Sequence, residues 1–169
     1  MDFDHISELW FGPVGEKFTH GLELKHRRQV GGTCVSTGLS VITQEEPKAI
    51  REVINTQDPV SWSQYLKGHN LKLAYCPSDF RRLENYADDL LRLDDLFTIS
   101  TYSPGDPLAI GADPTEGGWV CGSHFVILHR DTVYDTRFSS PVKLREYEDL
   151  GRYIKRIFRV VPEGHARGL

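Results

Sequence analysis

Between residues 33 and 93 the apolar positions recur at helical spacing, and after residue 95 they follow the pattern of strands. Cys34, Val35, Gly38, Leu39 and Ile42 share one face of a helix, and Gly31-Gly32 ahead of them lets the chain turn into it. Pro47 and Pro59 each occupy a position where a helix starts; Ile50, Val53 and Ile54 follow the first, and Trp62, Tyr65 and Leu66 the second. Gly68 and Asn70 close that third helix, and LKLAY at 71–75 reads as a short strand. Phe80, Leu83, Ala87, Leu90 and Leu91 then mark a fourth helical face after Pro77-Ser78. Strand signals occupy LFTISTY at 96–102, WVCGSHFVILH at 119–129, TVYDT at 132–136 and YIKRIFRVV at 153–161.

Helices first and strands afterwards, with Arg130-Asp131 turning one strand into the next, predict an α+β domain with an antiparallel sheet rather than an alternating parallel one. One domain is expected over residues 1–169, with arms at 1–25 and 162–169 where periodicity is weak. The run SPGDPLAIGADPTEGG at 103–118 predicts a long surface loop leading into the strand that holds His124.

Composition narrows the function classes. With 39% apolar residues in 169, the chain can build a real core. Its 20 Lys+Arg against 24 Asp+Glu give a formal charge of -4, so no basic surplus speaks for nucleic acid or an anionic membrane as partner. No apolar run reaches the roughly 20 residues of a membrane span, and MDFDHISELWFG lacks the layout of a secretory signal. A cytoplasmic protein is the expectation, its oligomeric state left open. Three cysteines, Cys34, Cys76 and Cys121, cannot all pair, so they are read as free thiols and a conspicuous one as a reagent.

Cys34 falls in the first turn of its helix, where unpaired N–H groups and the dipole favour a thiolate. Side chains alternate along a strand, so His124, Val126 and Leu128 share a face. If Arg130-Asp131 is a two-residue turn, Leu128 pairs with Val133 and Val126 with Asp135, which sets Asp135 diagonal to His124 on that face. One imidazole nitrogen can then be held by the carboxylate while the other faces the thiol, a Cys–His–Asp relay that a one-residue slip would destroy. Gln29 can supply an amide N–H to a developing oxyanion beside the backbone N–H of Cys34.

Other patterns carry less. Cys121 and His129 share a parity that His124 lacks, which argues against a metal site with Asp135. His26, Arg27 and Arg28 read as a solvated charge run before they read as an anion site, and Asp88, Asp89, Asp94 and Asp95 lack EF-hand spacing. No P-loop, dinucleotide fingerprint, HExxH or GxSxG is present, and no cofactor is implied.

The order QVGGTC opening a helix, GSHFVIL on a strand and VYDT on the next resembles the papain-like cysteine peptidases, most of all the C39-like, bacteriocin-processing type. The resemblance implies a papain-like fold over about residues 25–161, with Cys34 as nucleophile, His124 as base, Asp135 as orienting acid and Gln29 as oxyanion residue. Val35 follows Cys34 where those enzymes commonly carry glycine. A thiol hydrolase acting on a protein or peptide substrate is the leading expectation. An acyl transferase of transglutaminase or arylamine N-acetyltransferase type would use the same triad, and a papain-like binding module would keep the fold without the chemistry. Loop 103–118 is expected to border the site, its Asp106, Asp113 and Glu116 favouring basic or neutral residues beside the bond attacked.

Overall fold

A computed structural model describes residues 16–79, 81–102 and 123–169. The expected loop 103–118, Cys121, Phe80 and the first fifteen residues of the expected N-terminal arm lie outside the described residues. Helices α1 (Cys34–Thr43), α2 (Pro47–Val53) and α3 (Pro59–Lys67) precede strand β1 (Leu71–Cys76). Helix α4 (Ala87–Leu93) leads into β2 (Leu96–Tyr102), β3 (Ser123–His129), β4 (Thr132–Tyr134), β5 (Val142–Lys143) and β6 (Ile154–Pro162). The strands form one sheet in the order β1-β6-β2-β3-β4-β5, and every neighbouring pair is antiparallel. This is the α+β arrangement that the segregation of helix and strand patterns predicts.

Strand alternation divides the sheet into two apolar faces. Leu73, Leu96, Phe125, Ile127, Phe158 and Val160 pack with Leu39, Ile42, Ile50, Trp62 and Leu66 of α1–α3. Ala74, Phe97, Ile99, Val126, Leu128 and Ile157 face the other way, toward Leu83, Tyr86, Leu90, Leu144 and Tyr147. The central β2 is consequently buried almost end to end, as a strand covered on both faces must be.

Helix α1 sits close on β3 because residue 38 has no side chain. A Cβ there would lie 2.5 Å from the Phe125 ring, well inside van der Waals contact. Phe125 also meets the edge of Trp62 with ring centroids 5.3 Å apart, so it wedges between α1 and α3. The β3–β4 hairpin pairs Leu128 with Val133 and His129 with Thr132, the register read from the sequence, with Arg130 at φ 61 making the turn.

Three local expectations change. The fourth helix begins only at Ala87, because the Leu83 and Glu84 amides donate to Arg152 and Leu150 carbonyls (both 2.9 Å) instead of opening a helix. A short 3-10 turn at Leu83–Asn85 precedes it. Strand β4 stops at Tyr134, so Asp135 and Thr136 lie just past its end, and the two-residue β5 adds an outer strand the pattern did not signal. The described parts of both expected arms are tied to the body. Thr19 is buried, and Asp95 accepts from the amides of Phe18 (3.2 Å) and Thr19 (3.1 Å) while pairing with the buried Arg159 at 2.8 Å. At the other end, the Leu169 amide donates to the Leu73 carbonyl at 2.9 Å.

The Gly38–Phe125 contact generates a stability prediction. Gly38→Ala should cost about 1–3 kcal/mol in urea unfolding, as overpacking of a tight core does. Phe125→Leu in the same chain should recover part of that loss by removing the ring the new methyl meets; equal losses with and without it would show that the contact is not the cause.

Candidate active site

Cys34, His124 and Asp135 come from three elements that meet at one end of β3. Cys34 is the first residue of α1, held there by the packing of Gly38 on Phe125 one turn further along. His124 is the second residue of β3, opposite Thr101 of β2, and has the parity of Val126 and Leu128. Asp135 follows β4 with the parity of Val133, on the same side of the sheet. The thiol therefore arrives from the α1 side and the imidazole–carboxylate pair from the α4 side, and they meet where the strand ends.

His124 Nε2 donates to Asp135 Oδ1 at 2.8 Å. That commits one ring nitrogen and leaves Nδ1 for Cys34, whose side chain lies within hydrogen-bonding reach of the imidazole. Asp135 is 2% exposed. A carboxylate so enclosed survives as a charge only if its lone pairs are taken up. Tyr147 Oη donates to Oδ2 at 2.6 Å, the Arg137 amide to Oδ1 at 2.9 Å and the Arg137 guanidinium to Oδ2 at 2.7 Å. Arg137 is itself held from the far side by Asp149.

Electrostatics follows from these contacts. Burial raises the Asp135 carboxyl, but hydrogen bonds from His124, Arg137 and Tyr147 outweigh it and hold the group well below the ordinary carboxylate range. Burial disfavours a charged His124, yet the hydrogen bonds and charges of Asp135 and Cys34 raise it to about 9. For Cys34, burial opposes the thiolate; the His124 hydrogen bond and charge, with the backbone N–H groups of Phe125 and Val35, bring it below the ordinary thiol value. Both shifts favour the thiolate–imidazolium form of the pair, oriented by an ionised carboxylate.

Gln29 is placed differently from its partners. Its Nε2 donates to the Gly31 carbonyl at 2.8 Å, its Oε1 accepts from Thr136 Oγ1 at 2.8 Å, and its amide donates to the Thr136 carbonyl at 2.7 Å. It ties the turn before Cys34 to the residue after Asp135. Nε2 has a second hydrogen, for which the described residues supply no acceptor. The Cys34 backbone N–H, in the first turn of α1, has no helical partner either.

A cavity of about 840 Å³ opens beside the thiol, lined by Gly32, Cys34, Val35, Ile54, Gln57 and Ser123 among others. Cys76 is fully buried and pushed up to about 12 by that burial, so it is no rival nucleophile. His129 Nε2 contacts the Thr19 carbonyl at 3.1 Å, and His26 Nε2 the Phe138 carbonyl at 2.7 Å. The acidic run is dispersed into separate pairs, Asp88 with Arg145, Asp89 with Arg92, Asp94 with Arg130 and Asp95 with Arg159. Among the described residues no group of three or more His, Cys, Asp or Glu is arranged to hold a metal ion, and no helix is long and apolar enough to cross a membrane.

No family model matches the chain, and no curated protein sequence matches it. The site is therefore read from its own geometry. Sequence reasoning missed Arg137, Tyr147 and Asp149. Arg137 had a faint signal, since an Asp whose side chain accepts the amide two residues on is a common turn. Tyr147 and Asp149 reach the site only through the fold and left none.

The thiolate–imidazolium pair predicts that Cys34 alkylates with iodoacetamide at a rate that stays high well below pH 8.5, the ordinary thiol midpoint. His124→Ala should move that midpoint up toward the ordinary value, and Cys76 should stay unlabelled in the folded protein. Peptide mapping of the labelled cysteine across pH 5–10 checks both; an unshifted Cys34 midpoint would contradict the pairing.

Proposed function

We propose that the protein is a cysteine-dependent hydrolase that opens a peptide, isopeptide or side-chain amide through an acyl-enzyme. The observation that carries this reading is the continuous chain of contacts from the Cys34 thiol through His124 to the buried, fully paired Asp135. The shifts of all three groups run toward the protonation states the reaction needs before substrate arrives.

The Cys34 thiolate attacks the carbonyl carbon and forms the C–S bond as the carbonyl π pair moves to oxygen. The resulting oxyanion is met by the Cys34 backbone N–H and by the second amide hydrogen of Gln29. Collapse of the tetrahedral adduct breaks the C–N bond, and the His124 imidazolium gives its proton to the leaving amine. Neutral imidazole then takes a proton from water as the water oxygen attacks the thioester, and the regenerated imidazolium pairs again with the released thiolate. Asp135 holds the ring and stabilises its charge throughout without accepting the proton. The α+β layout, with the nucleophile at a helix start and His and Asp on an antiparallel sheet, supports a papain-like, C39-like assignment. Dependence on a thiolate suits a reducing compartment such as the cytoplasm.

The proposal is tested with p-nitrophenyl acetate, which reports acylation as released p-nitrophenolate and leaves an acetyl mass on the modified residue. One equivalent of fast release per chain is expected, followed by slower steady turnover, with the acetyl group on Cys34. Cys34→Ala should abolish the burst, and His124→Ala should slow it by about 10²- to 10⁴-fold, the range general acid–base groups supply. Asp135→Asn should leave a folded protein slowed less than His124→Ala. The burst should slow at low pH as the Cys34 thiolate is protonated, and steady turnover, limited by deacylation on neutral imidazole, should rise with pH as His124 of the acyl-enzyme loses its proton. A burst that persists without Cys34 would remove the proposal, and acetyl transfer to an added amine in preference to water would make the enzyme a transferase.

A further inference from the structure

We infer that the cleft beside Cys34 selects polypeptide substrates that carry acidic side chains within about two or three residues of the bond opened, a reading that rests on the proposed hydrolase. The cavity at Cys34 does not end at the thiol. Thr33, Ser36 and Arg51 line both it and a second cavity of about 540 Å³, so the two cavities share a wall at the start of α1 and in α2. Arg27, Arg28, Lys48 and Arg51 line the second cavity, and Arg51 and Lys155 the first. The only carboxylate lining either one among the described residues is Glu46.

Glu46 does not neutralise that wall. It lies 3.4 Å from Arg27 and is mostly exposed, a geometry worth little as an ion pair. Arg28, Lys48 and Arg51 have no carboxylate within ion-pair distance among the described residues, and the buried Nε of Arg27 has no hydrogen-bond partner. A chain with a formal charge of -4 thus presents a cationic wall beside its thiol, a local potential that raises the concentration of an anionic ligand there. Guanidinium forks match carboxylates two bonds at a time, which suits glutamate and aspartate side chains. Ile54 in one cavity and Val30 and Pro47 in the other add apolar wall for the aliphatic parts of a peptide.

Reach limits the effect to near neighbours of the scissile bond. Screening over about 8 Å in physiological salt, against an extended rise of about 3.3–3.6 Å per residue, leaves two or three residues within range of Arg51 once a carbonyl is at Cys34. The acidic residues Asp106, Asp113 and Glu116 pointed toward basic or neutral residues beside the bond; they lie outside the described residues, and the described walls carry the opposite charge.

The test uses the full chain and two peptidyl vinyl sulfones identical except that three glutamates in one are lysines in the other, with iodoacetamide as a small neutral control. Each probe adds to the thiolate, so the labelling rate of Cys34 divided by the iodoacetamide rate of the same variant isolates recognition from nucleophilicity. The glutamate probe should label at least about tenfold faster than the lysine probe at 50 mM NaCl, the preference should shrink at 500 mM, and the double variant Arg51→Glu, Lys48→Glu should reverse it. Equal rates, a lysine preference, or a glutamate preference untouched by salt and by the double variant would overturn the inference while fast iodoacetamide labelling left the hydrolase reading standing. Slow iodoacetamide labelling at neutral pH would instead overturn the hydrolase reading itself.

Discussion

A buried carboxylate must be paired or it will not stay ionised, and the arrangement of this site follows from how Asp135 meets that condition. Three donors secure it: the His124 ring, the Tyr147 hydroxyl and Arg137 through both amide and guanidinium. Those bonds fix which nitrogen of His124 faces inward, which fixes the nitrogen offered to Cys34. The imidazole charge they sustain then brings the thiol down despite its half-buried setting. Arg137 and Tyr147 touch no reacting atom; they are positioning residues, and their influence reaches the sulfur only through the carboxylate.

The sheet contributes the second constraint, which is that helix and hairpin approach from opposite faces. Phe125 packs under Gly38 on one side while His124, its neighbour in sequence, points with Val126 to the other. Consecutive residues thus do opposite jobs, Phe125 gripping the helix that carries Cys34 and His124 presenting its imidazole to Asp135. A slip of one residue in β3 would exchange their faces, burying an imidazole beneath α1 and turning a phenyl ring toward Asp135.

Much of this was legible in the sequence because it depends on local spacing. Prolines marked the starts of α2 and α3, alternation marked β2 and β3, and the tight turn at Arg130-Asp131 fixed the Leu128–Val133 pair from which the diagonal of His124 and Asp135 follows. The unreadable parts depend on contacts distant along the chain. The fourth helix starts late because residues 150–152 claim the amides of Leu83 and Glu84, and Thr19 is buried because Asp95 and Arg159 form an ion pair beneath it. Neither has a periodic signature. Gln29 is the instructive case: a side chain chosen for its amide proves to be bonded on both its oxygen and its nitrogen to neighbours the sequence did not bring near.

Against burial, Asp135 and Cys34 together raise His124 to about 9, and ¹⁵N NMR of histidine-labelled protein measures the charge of the ring directly. The account predicts that both His124 ring nitrogens show protonated shifts at pH 7.5 and titrate near pH 9, and that Cys34→Ala lowers that midpoint while leaving the Nε2–H bond to Asp135 in place. A His124 already neutral at pH 7.5, or a midpoint indifferent to the loss of Cys34, would contradict it.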